Sequence, residues 1–341
     1  MRSTSQTCRD LSRRYLPLSE LEQEEAGQLD PEQLAAVGAT ERTIAVLAGR
    51  GSGKTRVLSY RARHLLQQDH DAKALLLTFT NKAAAEMKSR ALDVAVVTSD
   101  RIWASTFHAF GMRLLHAHGD LVGLDRGFEI PDDEEQTELQ ELAAVRAGTT
   151  NRARRWAFLR LRRQQVREQE VVRWAAAYEE IKREQGILDF GDLIVHTADL
   201  LEQHGALAEA YGTQYPHLLV DEFQDTNQAQ FAIVRKLGAH ARTISVFADD
   251  DQAIYQFAGA EARNVRQFVE ELEAGEYPLT TNYRCRAEVV KVANRLIAAD
   301  PDASGRRMTA RYDGGGGAQR RLRFDRDRSA SGRRRDRGAT C

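Results

Sequence analysis

Ala48-Gly49-Arg50-Gly51-Ser52-Gly53-Lys54-Thr55 decides how this chain is read. The apolar run 43–48 leading into it has the length and character of a buried strand, and a helical pattern follows to about residue 68. A Gly-rich turn between strand and helix lets backbone N–H groups wrap an anion, and the helix N-terminus adds the positive end of its dipole. In such a loop Lys54 reaches the β- and γ-phosphates of a nucleotide, and Thr55 ligates Mg²⁺. The strict pattern has Gly where Ala48 stands, so the match is to a relaxed form. On its own it would also fit a plain Gly-rich turn.

Working outward, an apolar run at 74–80 and strand-like segments at 102–106, 217–220, 243–247 and 279–282 read as strands. Helical patterns at 81–92, 107–118, 228–237 and 287–298 lie between or after them. Strands alternating with helices predict an α/β fold, a parallel sheet covered on both faces. Residues 125–214 read differently, as an all-helical insertion. Arg152 to Arg173 hold eight arginines beside Trp156 and Trp174, which suits either a solvated helix face or a duplex-contacting one.

The run Leu218-Leu219-Val220-Asp221-Glu222 is an apolar strand ending in two carboxylates. An acid at that strand end faces the phosphate loop in a doubly wound sheet. Asp221 is suited to hold Mg²⁺ through water and Glu222 to polarise the attacking water, which points to hydrolysis rather than to mere nucleotide holding. A third strand end carries Asp249, Asp250, Asp251 and Gln252. Gln252 is placed to report the γ-phosphate to Tyr255 and Phe257. Those aromatics suit base stacking on a single strand, worth about 1–3 kcal/mol per base, although such residues taken alone are more often core.

The composition agrees with a folded enzyme. The chain has 341 residues, 42% hydrophobic and 29% charged, which excludes collagen-like and wholly disordered chains. It contains no run of about 18 apolar residues of the kind that spans a membrane, and no apolar signal segment at its start. Cys8, Cys285 and Cys341 lie too far apart for a disulfide framework or a Cys-based metal site. The expected setting is a reducing cytoplasm. The near-neutral balance hides a basic end: residues 305–341 hold twelve Arg and four Asp, with no Lys, Glu, Ile or Val. That composition predicts disorder from 305 onward. The segment reads as a basic arm for nucleic acid, a solvated tail, or out-of-frame coding.

Taken in order, these segments resemble superfamily 1 DNA helicases of the UvrD/Rep type. Asp30-Pro31-Glu32-Gln33 resembles the family's adenine-reading motif, which implies that Gln33 contacts the base of ATP. The resemblance places ATP on Gln33, on Ala48, Gly49, Arg50, Gly51, Ser52, Gly53, Lys54, Thr55 and Arg56, and on Tyr283, whose ring would stack on adenine. Asn282-Tyr283-Arg284 matches the segment whose Arg acts as a finger on the γ-phosphate, so Arg284 joins Lys54, Glu222 and Gln252 as a catalytic residue. Thr55 and Asp221 are the implied Mg²⁺ ligands. Thr78-Phe79-Thr80-Asn81 and Ser105-Thr106-Phe107-His108 resemble DNA-holding motifs, and Asp189-Phe190 a further segment near DNA. The implied DNA contacts are thus Thr78, Phe79, Asn81, Thr106, His108, Phe190, Tyr255 and Phe257.

The family's members move 3′→5′ along single-stranded DNA at the expense of ATP, act at single-strand/duplex junctions, and bind ATP between two RecA-like lobes. The implied organisation is an N-terminal extension (1–27), the first lobe in two parts (28–124 and 215–275), the helical insertion (125–214), the opening of the second lobe (276–304) and the Gly/Arg tail (305–341). Four positions depart from the pattern: Arg50, Ala248, Gly191 and Ala258. The rest of the second lobe does not follow residue 298. The expectation is therefore a weak or inactive hydrolase that needs a partner or the missing lobe, with nothing substantial holding Arg284. The competing expectation is an ATP- and DNA-binding module without turnover. A nuclease–helicase fusion has no support, since no nuclease-like carboxylate cluster follows the motor segment.

Overall fold

The computed structural model describes residues 29–95, 98–125, 127–149, 168–249, 263–299 and 305–312. In chain order a short helix α1 (Pro31–Val37) precedes β1 (Thr43–Ala48), α2 (Lys54–Gln68), β2 (Ala74–Thr78), α3 (Asn81–Ala95), β3 (Ile102–Thr106) and α4 (Phe107–His118). Next come α5 (Asp133–Arg146), α6 (Glu168–Gln185), α7 (Phe190–Gln203) and α8 (Gly205–Gln214). The chain then runs through β4 (His217–Val220), α9 (Gln228–His240), β5 (Thr243–Ala248), α10 (Arg263–Glu271) and β6 (Gly275–Leu279). It ends in β7 (Thr281–Asn282), α11 (Ala287–Ile297) and β8 (Thr309–Ala310).

The main sheet has the order β3-β2-β4-β5-β1-β6 and is parallel throughout. Its inner strands are buried at every position because helices cover both faces. The two-residue period of a strand divides their side chains between two cores. On one face Ala45, Leu47, Leu75, Leu77, Leu218, Val220 and Val246 pack with α4, α7, α9 and α10. On the other, Ile44, Val46, Leu76, Leu219 and Phe247 pack with α1, α2 and α3.

The region read as one helical insertion divides in two. Helices α5 and α6 form a separate small core of Leu139, Ala143, Trp174, Tyr178 and Ile181. Helices α7 and α8 belong to the main core instead, through Leu193, Ile194, Leu200, Leu201 and Ala208. The reason is their apolar stripe, which α4 and α9 bury. The arginines from Arg152 to Arg167, with Trp156, lie outside the described residues.

Two further differences concern the end of the chain. The strand read at 279–282 is two strands: β6 adds to the edge of the main sheet beside β1, and β7 leaves it. Residues 305–312, where composition predicted disorder, are ordered. Thr309 and Ala310 pair in parallel with Thr281 and Asn282, and the backbone N–H groups of Thr309 and Arg311 donate to Thr280 and Asn282 carbonyls, both at 2.8 Å. Composition averaged over a long segment does not register a few backbone bonds supplied by a distant strand. Residues 1–28 and 313–341 lie outside the described residues. Among the described residues no helix is long and apolar enough to cross a membrane.

Candidate active site

The loop after β1 turns through glycine at two positions that require it. Gly51 and Gly53 have φ of 82° and 89°, in the left-handed region that a side chain disfavours. Ser52 braces the turn, its N–H and hydroxyl both donating to the Gly49 carbonyl at 3.2 and 2.7 Å. Lys54 then begins α2, so its ammonium stands at a helix N-terminus beneath the loop.

Opposite, β4 ends at Asp221 and Glu222, with β5 lying between β4 and β1. The Lys54 ammonium donates to Glu222 Oε2, and Asp221 Oδ1 lies 3.8 Å away. Burial pushes the Asp221 carboxyl up to about 6 against the pull of Lys54, with the charge of Glu222 adding to the rise. Burial acts on Glu222 too. There Lys54, the Gln224 amide and the nearby Arg50 guanidinium prevail and hold the carboxyl below its usual range. Glu222 sits at φ 52°, a left-handed backbone that a non-glycine residue adopts at a strain of about 1–3 kcal/mol. Strain of this kind is retained where surrounding contacts over-determine the residue, and it clusters at functional sites.

Three residues without an assigned role complete this wall. Gln224 Nε2 donates to Glu222 Oε2 at 2.8 Å, while its Oε1 accepts from the Asp249 N–H at 3.0 Å, so one amide ties the end of β4 to the end of β5. Asp225, beside Gln224, is pushed up to about 6 by burial and by the Glu222 charge. Asn282 bonds to the loop, as described below. Gln224 and Asp225 follow shortly after the quoted Asp221-Glu222 pair, but nothing in one dimension says which of these side chains point inward. Arg306 approaches the same wall: burial lowers its guanidinium pKa while the Asp249 charge opposes the change.

Gln33 is buried beside the loop. Its Nε2 donates to the Ser52 carbonyl at 2.8 Å and its Oε1 accepts from the Asp30 N–H at 3.2 Å. Its backbone N–H donates to Asp30 Oδ1, which closes the capping box that starts α1. Asp30 also accepts from the Tyr283 hydroxyl, and burial together with this carboxylate pushes the phenol up to about 12. Glu32 accepts from the Thr280 N–H and hydroxyl, both at 2.6 Å. Arg56 is exposed, 5.9 Å from the Tyr60 ring centroid.

Arg284 is therefore held more firmly than sequence reasoning expected. The N–H of Tyr283 donates to the Gly51 carbonyl at 2.8 Å, and a Cβ built on Gly51 would stand 2.8 Å from that of Arg284. Met308 lies over the other side of the loop, its sulfur 2.7 Å from where a Gly49 Cβ would be. Gln252, Tyr255 and Phe257 lie outside the described residues.

Of the residues named for DNA, Thr78 and Thr106 are buried, and the Thr106 hydroxyl accepts from Ala109 N–H to cap α4. Neither side chain faces solvent. Phe79 packs on Phe107 with ring centroids 5.8 Å apart. His108 meets Phe190 edge-on at 5.6 Å, and burial holds its imidazole pKa below the usual value. Phe190 is 55% exposed and Asn81 is exposed, so an aromatic and an amide stand open along the same end of the sheet.

Among the described residues no three His, Cys, Asp or Glu side chains converge as a metal cage. Mg²⁺ that arrives with phosphates keeps several waters and takes one or two protein ligands. Asp221 and the Thr55 hydroxyl are of the oxygen-donor chemistry it prefers.

Residues 29–273 match the family model of the UvrD/REP helicase N-terminal domain. The chain is 32% identical over 302 residues to DNA helicase II of Haemophilus influenzae, an alignment covering 82% of this chain and 42% of that protein. It is 32% identical over 289 residues to the ATP-dependent DNA helicase PcrA of Staphylococcus aureus, covering 79% and 40%. The chain thus spans about two-fifths of the length of the curated relatives it matches.

Proposed function

The chain belongs to the UvrD/REP helicase family, and from that premise we propose that it binds Mg·ATP at the loop 48–55 and hydrolyses it as part of a 3′→5′ DNA helicase. The observation that carries the reading is the Lys54 ammonium held between Glu222 and Asp221 beneath a glycine-opened helix N-terminus. A nucleotide's phosphates would draw Lys54 off Glu222, since phosphate oxygens offer more negative charge than one carboxylate. Glu222, released from Lys54, keeps the Gln224 amide on its Oε2 and is free to orient a water and accept its proton. Mg²⁺ bound by Thr55 and Asp221 would supply charge neutralisation on the β- and γ-phosphates. Coming close to a dication would also favour the ionised form of Asp221, whose pKa burial has raised.

Gln33 and Tyr283 take the adenine in this reading, and Arg284 the γ-phosphate. Asn81, Phe79, His108 and Phe190 form a surface for single-stranded DNA, with single-strand/duplex junctions as the working substrate in a cytoplasmic setting. Steady-state ATP hydrolysis by the chain, with and without single-stranded oligonucleotide, tests this beside Lys54→Ala. DNA-stimulated turnover lost in the variant supports it. Lys54-dependent nucleotide binding without turnover replaces it with a binding module. Binding indifferent to Lys54 removes both.

A further inference from the structure

Asn282 is polar yet only 6% exposed, and both ends of its side chain are used. Its Nδ2 donates to the Arg50 carbonyl in the phosphate loop at 2.6 Å. Its Oδ1 accepts from the backbone N–H groups of Arg284 and Cys285, at 3.0 and 2.7 Å. This is the local turn that Asn favours, because its short amide reaches the N–H groups two and three residues on. The backbone carbonyl of Asn282 accepts from Arg311 N–H at 2.8 Å, which fixes β7 against β8. One side chain therefore links the loop that would cradle phosphate to the backbone that carries Arg284.

We propose that Asn282 is the positioning residue for Arg284, registering its backbone on the phosphate loop so that the guanidinium stands at the terminal phosphate. This rests on the ATP-hydrolysing reading of the site. Asn282 is uncharged and touches no reacting atom; it acts only through Arg284. An exposed arginine on an unanchored backbone would have to order both backbone and side chain to meet a developing charge. Anchoring the backbone leaves only the side chain to order. The two halves of the amide divide the work. The acceptor half shapes the turn at 284–285, and the donor half attaches that turn to the loop. The Tyr283 bond to the Gly51 carbonyl is a second attachment, so losing the donor half should loosen the register rather than unfold the segment.

The test is the preference of the full chain, with Mg²⁺, for ADP·aluminium fluoride over ADP, since the fluoride complex mimics the transferring phosphoryl group and ADP lacks it. Wild type, Asn282→Ala, Asn282→Asp, Arg284→Ala and the Asn282→Ala/Arg284→Ala double variant are compared by calorimetry, with Lys54→Ala as the control for nucleotide binding. Asn282→Ala removes the bond to the Arg50 carbonyl together with both turn bonds and is expected to reduce the preference by at least roughly tenfold, with ADP affinity unchanged. Asn282→Asp keeps the acceptor for Arg284 and Cys285 but not the donor to Arg50, and is expected to lose about as much. It also decides the matter if the alanine variant melts early. The double variant should be no weaker than Arg284→Ala, because residues acting through one another are not additive. Equal weakening of both ligands in Asn282→Ala, multiplied losses in the double variant, or a full preference in Asn282→Asp would each overturn the proposal while leaving the ATP site standing. Binding indifferent to Lys54→Ala would overturn the site reading and this proposal with it.

Discussion

Among the described residues, Lys182 and Lys54 each sit among carboxylates, and their surroundings differ. Lys182, on α6, is nearly buried and donates to Glu179 at 2.9 Å, Asp189 at 3.3 Å and Asp192 at 2.5 Å. Its ammonium also lies 4.7 Å from the Tyr178 ring centroid. Asp189 and Asp192 are in turn the two halves of the capping box that opens α7, each accepting a backbone N–H from the other, at 3.0 and 2.8 Å. Burial works against the charge on Lys182, but these carboxylates prevail and raise its pKa. Every charge there has a partner that the fold supplies.

Around Lys54 the accounts do not close in that way. Asp221 and Asp225 are both pushed up to about 6, Asp225 Oδ1 is buried with no hydrogen-bond partner among the described residues, and Glu222 holds a left-handed backbone. The same residue types make a strut in one place and an unsettled cluster in the other. The difference is whether helix-end N–H groups fill the carboxylate lone pairs. Under the proposed function, a cation and a phosphate would enter that cluster together.

The comparison can be broken most sharply at Glu222. Glu222→Gln should reduce single-turnover hydrolysis by about 10²–10⁴-fold, the usual range for a general base, with nucleotide affinity retained; an undiminished rate would return Glu222 to the structural class. Lys182→Met should do the reverse. Breaking a buried pair commonly costs about 3–5 kcal/mol, and with Asp189 and Asp192 still capping α7 the lower end is expected in urea unfolding, while nucleotide affinity stays put. A lost nucleotide affinity there would erase the distinction between the two lysines.

The smallest effect is on pH dependence. Burial lowers His64 to about 3 and His217 to about 4, so both are neutral in the fold. Their contribution is present above the unfolded value near 6.5 and is lost as pH falls toward those folded values. Asp221 and Asp225 run the other way. Their raised pKa means that the fold gains stability as pH falls through about 6 toward the unfolded value. The net loss between pH 7 and pH 5 is therefore expected to be shallow. Asp221→Asn should steepen it by about 1 kcal/mol, because the offsetting gain disappears. A slope unchanged by that variant would mean that Asp221 titrates normally and the cluster is not strained.

Much of the fold was legible in the sequence. The runs at 43–48 and 217–220 coincide with inner strands, because a strand covered on both faces is largely apolar and ends at polar turns, and 102–106 coincides with the edge strand β3. The Gly-rich turn after β1 was legible because Gly51 and Gly53 occupy a backbone that few other residues adopt. The resemblance to UvrD/Rep helicases, drawn from short motifs, agrees with the family match over 29–273. Less legible were α7 and α8, whose helical pattern was clear but whose covering partners were not. β6 was merged with β7 because the two are separated only by Thr280. Gln224 and Asn282 escaped because an amide joining two backbone segments leaves no periodic trace.

The sequence by itself determined which residues can turn tightly, which segments must be buried, and which carboxylates end a strand, since all of these follow from local geometry and side-chain chemistry. Only the tertiary structure decided that Lys54 meets Glu222, 168 positions away, rather than solvent. It also decided that Asn282 and Met308 close over the loop at 49–51. Those contacts depend on the sheet order, which places β5 between β1 and β4 and β6 at the edge beside β1, and strand order is a choice among long-range pairings that no local pattern encodes.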